Sequence, residues 1–445
     1  MDMNLKYGLE EKPQHWESLI YGLQWSAVIF SSNIFLLLLV TQSLGFPMNM
    51  TAQFIQRSLV FMGISSLLQI YFGHRLTVFD VVASFWLSTF IFVAYVQQAQ
   101  GIALSIIMGK LQFLQIATGL LLIVLTLSGI AGKIKRFFTP TTMGVTLILI
   151  CIQMSSSLVP GMMRGSHGIA DMRLVLYSMV LYLASLYIGF RGGRLQPYIG
   201  LIGLGGGWLS YRLLGLPVKS MVEMPGILLP RPFAFGPPVV DMSLLPVTFF
   251  IVMIYLSNEI ASVNAAGDVL DVEVTEHTIH RTSYVAGLGH ILAAIMSSIA
   301  LVPAAMGAGL VATTRVGARR PMAVGAVILI VLGLIGPLGG FFATIPAAVS
   351  YSVSLSIITR IMYMGFKNCF HEGMQEKSIS IASVAILYGT GITFLPTDFF
   401  SQWGFFSSIL GNGLFMGVLL SLLLENILFR RLGDKKEEKE SQEQS

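Results

Sequence analysis

Residues 302–316 read VPAAMGAGLVATTRV, and the fold turns on them. Pro303 disfavours helix at Val302, so the chain should arrive there extended. Gly307 and Gly309 permit close approach or unusual dihedrals, and a helix then runs on through LVATTRV. The apolar run at 304–314 is too short to cross a bilayer as helix, which takes about 20 residues for roughly 30 Å of hydrocarbon. A span broken in this way aims backbone N–H groups and a dipole end at the membrane midplane, a geometry that binds polar or anionic groups. The run LTVFDVVAS at 76–84, with Asp80, is the candidate matching element in the first half of the chain.

The surrounding sequence places this break in a membrane. Of 445 residues 54% are hydrophobic and 11% charged, with a mean hydropathy of +0.76; a soluble globular chain carries about 25% charged residues. That excludes an ordinary water-soluble enzyme and a disordered chain. The net charge of +5 forms no basic stripe, so no nucleic-acid partner is expected. Apolar runs lie near 18–43, 55–72, 84–101, 112–131, 141–159, 173–190 and 195–213. They resume near 242–265, 286–302, 304–314, 322–339, 343–364, 378–396 and 405–428. These fourteen segments predict an all-α polytopic membrane protein. With both termini inside, most of the 27 lysines and arginines fall on the cytoplasmic side, as the positive-inside rule requires. The expectation is a multi-pass protein of the plasma (inner) membrane, with no cleavable signal, since residues 1–16 are polar and the first apolar run is too long for one. The outer loop 214–240 carries MPGILLPRPFAFGPP at 224–238, a rigid proline-rich crossover between two halves of seven segments. The tail 430–445 reads as a solvated, charged terminus.

Chemistry of the enzymatic kind finds no purchase. There is no Walker loop, HExxH, CxxC or G-x-S-x-G, and neither cofactor nor metal is expected. Cys151 and Cys369 read as core thiols. His277 and His280 fall in what reads as a short polar loop beside Glu273 and Glu276, without metal-ligand spacing. The glycines of LIGLGGG at 201–207 suit close helix packing.

Polar groups inside apolar segments carry the functional signal, because they are costly in hydrocarbon. Gln24, Ser31, Ser32 and Asn33 polarise the first segment; Asn258, Glu259, Ser262 and Asn264 polarise the eighth. Neighbouring helical positions cannot share a face, so at most one of Asn258 and Glu259 points squarely into a central site. Glu259 is the only carboxylate deep in that segment and is the candidate for ion coupling, together with Asp80. Arg315, a turn and a half past Gly309, either anchors the cytoplasmic end or lines an exit.

Several stretches together resemble the nucleobase–ascorbate transporter family, also called the xanthine/uracil permeases. They are KPQHWESLIYGLQW (12–25), SSLLQIYFGHRLTVFD (65–80), TPTTMG (139–144), LPRPFAFGPP (229–238), GLVATTRVGARR (309–320) and ILGNGLFMG (409–417). The resemblance implies fourteen segments in two inverted seven-segment repeats, with segments 3 and 10 part strand and part half-helix. It implies a core domain from residues 1–131 and 241–339 and a gate domain from 132–213 and 340–429. It also implies substrate contacts from Trp25 in the first segment, Asn258 and Ser262 in the eighth, and Met306, Gly307 and Ala308 in the tenth, with the adjoining Glu259 and Gly309 as further substrate-binding candidates. At several of these positions the chain departs from the family's pattern: Asn258 stands where a glutamate is expected, Met306 where Gln or Glu is, Gly307 where Asn is, and Trp25 where His is. Glu259 either takes over proton coupling from the altered position or faces a neighbouring helix.

The resemblance therefore implies a secondary active transporter for a small polar or aromatic, nucleobase-like solute. Coupling to a proton or sodium ion and a homodimer in the lipid bilayer are expected with it. An anion transporter of the same fold, for bicarbonate- or sulfate-like ions, and a non-transporting membrane partner are the competing classes.

Overall fold

The expected break at Val302–Pro303 is present in a computed structural model of the chain. The structure describes residues 5–131, 139–164, 169–193, 195–371, 373, 375–396, 399–400, 402–403 and 407–428. The tail 430–445 and the basic loop residues Lys133, Lys135, Arg136 and Arg194 lie outside them.

In the first half, helices α1 (His15–Ser43) and α2 (Met48–Tyr71) lead into strand β1 (Asp80–Val82), followed by α3 (Ser84–Ala99) and α4 (Leu104–Leu127). Helices α5 (Pro140–Met163), α6 (Met172–Arg191) and α7 (Ile199–Leu213) complete it. After the 214–240 loop the order recurs: α8 (Leu245–Leu270), α9 (Glu276–Ile295), β2 (Leu301–Pro303), α10 (Met306–Thr314) and α11 (Arg319–Leu334). Then come α12 (Gly336–Ala343), α13 (Ala347–Cys369), α14 (Glu376–Thr393), α15 (Ser407–Leu410) and α16 (Gly413–Leu423). The two strands pair antiparallel, with Asp80 opposite Pro303, Val81 opposite Val302 and Val82 opposite Leu301.

Among the described residues six helices are long and apolar enough to cross a membrane. They include α1, α4, α5, α6 and α13, and the sixth is Met242–Leu270, which contains α8. The chain is thus a multi-pass, helical membrane protein. The other apolar runs are divided or diluted. The strand–helix elements are short by construction. The 322–339 run breaks at Ile335, just before Pro337, into α11 and α12.

Three local expectations shift. The break between the apolar runs at 84–101 and 112–131 is a tight turn: Gly101 adopts φ +75°, so α4 starts at Leu104 rather than near 112. His277 and His280 lie in the first turns of α9, not in a loop, because Thr275 caps that helix by accepting from the Thr278 N–H at 3.3 Å. Of the 201–207 glycines, only Gly203 and Gly207 sit in tight packing; Gly205 and Gly206 face open space. Cys151 and Cys369 are free and buried, as core thiols should be.

Packing follows two groups. Helix α4 lies on α9 and α8, and α11 lies on α1 and α2; α13 lies on α5 and α6, and α14 on α16 and α5. Glycine makes the tightest crossings possible. A Cβ at Gly119 would meet the Gly287 carbonyl at 2.5 Å, and one at Gly144 would meet the Gly365 carbonyl at 2.5 Å. Without a hydrophobic drive between helices in lipid, such close backbone approach supplies the packing energy.

Candidate functional site

The site is built where the two strands end. Ala304 N–H donates to the Phe79 carbonyl at 3.0 Å, extending the β1–β2 ladder to the threshold of α10. Ala83 and Ala305 stand immediately before helices α3 and α10, and neither residue has a side chain able to cap. The first N–H groups of a helix have no intrahelical partner. Two uncapped helix starts therefore lie at the ends of one small sheet, each with the positive end of its dipole turned toward it.

Side chains from two helices hold strand β1. Asn33 of α1 accepts from the Val82 N–H at 2.7 Å and donates to Ile29 O at 2.7 Å. Ser66 of α2 accepts from the Asp80 N–H at 3.1 Å, and Ser65 Oγ donates to the Asp80 carboxyl. Beside them, Trp86 Nε1 donates to His290 Nε2 at 3.0 Å, while His290 Nδ1 lies 2.8 Å from Ala286 O. Accepting at Nε2 fixes the proton on Nδ1, which donates to that carbonyl. The Tyr255 ring meets His290 edge-on, with centroids 4.8 Å apart. The sequence reading passed over this Trp86–His290–Tyr255 cluster. Its signal was His290, a histidine within the apolar second half of α9.

The sequence-derived residues separate by role of position. Helix α8 packs on α10 and β2. On it Asn258 is half-buried and accepts from Ser262 Oγ at 3.3 Å, one turn on. Glu259 points elsewhere: it is fully buried, and Ser283 Oγ of α9 donates to its Oε1 at 2.6 Å. On α10, Gly307 and Ala308 are buried; a Cβ on Gly307 would lie 3.4 Å from Val78 Cα, so α10 starts against the β1 segment. Met306 and Gly309 are exposed on one face of α10, and a Cβ on Gly309 would meet nothing within 4 Å. Trp25 is buried in α1 and its indole N–H has no partner among the described residues. Arg315 ends α10 in the left-handed conformation, φ 57°, with an exposed side chain, and its carbonyl accepts from the Lys6 N–H at 2.7 Å. Among the described residues no group of three His, Cys, Asp or Glu could hold a metal.

Uncapped helix starts at the two ends of one strand pair inside a polytopic bundle are the arrangement of a secondary transporter. A family profile described as "Permease family" (Xan_ur_permease) matches residues 16–397. The chain belongs to this permease family; it is a membrane transporter and not an enzyme. It is 25% identical over 427 residues to the permease YwdJ of Bacillus subtilis (strain 168), covering 92% of this chain and 96% of that one. It is 24% identical over 451 residues to the xanthine permease XanQ of Escherichia coli (strain K12), covering 96% and 94%. The fold matches the transmembrane domain of the cyanobacterial bicarbonate transporter BicA with TM-score 0.63 at 15% identity, over 94% of this chain and 99% of that chain.

Proposed function

We propose that the chain moves a nucleobase-like solute, small, planar and polar, by alternating access. The solute sits between Asn258 and Ser262 of α8 and the starts of α3 and α10. The observation that carries this reading is the β1–β2 pair delivering two uncapped helix starts against α8, the helix that carries the half-buried Asn258. A nucleobase offers both N–H and C=O groups at its edge. Backbone N–H groups at the helix starts suit its carbonyls, and the Asn258 amide can donate and accept. Exposed Met306 adds soft apolar contact to a ring face. Buried Trp25 and the backbones of Gly307, Ala308 and Gly309 complete the pocket. The relatives named for purine-class transport favour a nucleobase over other planar solutes.

In this reading the elements form fourteen segments in two inverted repeats, related through the antiparallel strand pair. The recurring helix–helix–strand–helix–helix order supports it. Residues 1–131 and 241–339 are the core and 132–213 and 340–429 the gate, with both termini cytoplasmic in the plasma membrane and the protein a homodimer. The separate packing of α4 with α9 and of α13 with α5 favours that division. A proton or sodium ion couples transport, with Glu259 and Asp80 as the buried carboxyls available to it and Arg315 at the exit.

A second reading, a bicarbonate- or sulfate-like anion as cargo, draws on the same uncapped helix ends, which suit an anion. Uptake into proteoliposomes decides between them. The purified chain should take up radiolabelled xanthine, uracil or another nucleobase, competed by unlabelled nucleobase and not by bicarbonate or sulfate. Uptake of the anions alone would replace the first reading with the second, and uptake of neither would leave the non-transporting class.

A further inference from the structure

Beneath the proline-rich crossover loop lies a cavity of about 280 Å³, away from the strand–helix crossing. One wall is a face of α2 carrying Asn49, Gln53, Gln56 and Arg57; the opposite wall is the loop, with Glu223 and Arg231. The loop is fixed in place. The Leu228 N–H donates to Leu334 O at 2.9 Å, the Gly336 N–H to Gly226 O at 3.1 Å, and the Phe233 N–H to Ile295 O at 2.7 Å.

Two side chains facing this cavity are buried without the partners burial demands. Arg57 is 4% exposed; its Nε donates to Ser297 O at 3.4 Å and its guanidinium carbon lies 5.0 Å from the Phe235 ring centroid. No carboxylate among the described residues pairs with it, and its two terminal amino groups make no hydrogen bond there. Gln56 is 2% exposed, and among the described residues neither its Oε1 nor its Nε2 has a partner. A buried guanidinium without a counter-charge is strongly disfavoured, and so is a buried amide left unsatisfied. Neighbouring residues share both deficits on one cavity. Arg231 adds a second, exposed cation at the rim, and Glu223 forms no ion pair with either arginine among the described residues.

We propose that this cavity is a binding site for a small oxyanion, a phosphate or carboxylate group. The Arg57 fork holds two of its oxygens, the Gln56 amide donates to it, and Arg231 closes over it from the loop. A guanidinium fork matches such an oxygen pair in geometry and charge. The anion clamps the crossover loop to α2 and α11. It is either free in solution or the headgroup of an anionic lipid, since the cavity opens near a helix end.

Thermal unfolding of the full chain in nanodiscs tests this. In phosphatidylcholine discs, inorganic phosphate should raise the melting temperature relative to chloride at equal ionic strength. Gln56→Leu and Arg231→Gln should each raise the half-saturating phosphate concentration by about tenfold, the loss of one charge-assisted or buried hydrogen bond. Arg231 is exposed on the loop, so R231Q keeps the test valid should Q56L fail to fold. If phosphate is silent but phosphatidylglycerol discs stabilise the wild type and not R231Q, the site holds and its anion is a headgroup. Stabilisation by neither probe, or an equal response in wild type and R231Q, would overturn the proposal.

Discussion

The Val82 N–H donates to Asn33 Oδ1 at 2.7 Å, and this bond fastens α1 to the strand from which α3 starts. The neighbouring Ser32 hydroxyl turns back to Val28 O of its own helix at 2.8 Å. Asn33→Ala leaves a buried N–H without an acceptor and should cost about 1–3 kcal/mol. Ser32→Ala should stay within about 0.5 kcal/mol. Thermal unfolding of both variants checks the contrast, and equal losses would show that the amide does not hold the strand.

Glycine substitutions should divide by position. A Cβ at Gly413 would lie 2.0 Å from the Gly389 carbonyl, where α16 crosses α14. Gly413→Ala should therefore destabilise by about 1–3 kcal/mol through overpacking. Gly205 and Gly206 in α7 have nothing within 4 Å, and alanine there should be neutral or gain up to about 1 kcal/mol of helix propensity. Melting curves of G413A, G205A and G206A side by side decide it.

Much of this was legible in the sequence. Pro303 announced the extended arrival at the break, and Asp80 marked the segment that pairs with it, because a proline and a buried acid are both costly unless structure accommodates them. The separation of Asn258 from Glu259 followed from helical geometry alone. What was not legible depended on partners distant along the chain. Nothing local says that Asn33 would accept from Val82, that Glu259 would turn to Ser283, or that Trp86 would find His290. The α4 start was misplaced for a different reason: Ser105, Gly109 and Lys110 make residues 102–111 read as part of the break, although the turn is already complete at Gly101.

Gly309 tests the placement of the solute on α10. Space around it is open, so Gly309→Ala should fold as well as the wild type. If the solute lies along this face, the added methyl should raise KM for uptake severalfold with an unchanged melting temperature. An unchanged KM would move the solute off this face.

Glu259→Gln keeps the size of the side chain and its acceptor for Ser283 Oγ, but carries no proton to exchange. Uptake by the wild type should vary between acidic and alkaline buffer, and uptake by E259Q should not. A pH dependence retained in E259Q would assign coupling elsewhere, with Asp80→Asn the next variant to measure.

The most direct measurement is nucleobase binding to purified wild type and Asn258→Ala, read as ligand-induced thermal stabilisation. The wild type should be stabilised by at least one nucleobase, with N258A losing affinity about tenfold or more while melting normally without ligand, as expected for a lost hydrogen-bonding side chain in the pocket. Stabilisation undiminished in N258A, or absent from the wild type for every nucleobase, would contradict a solute held between α8 and the starts of α3 and α10.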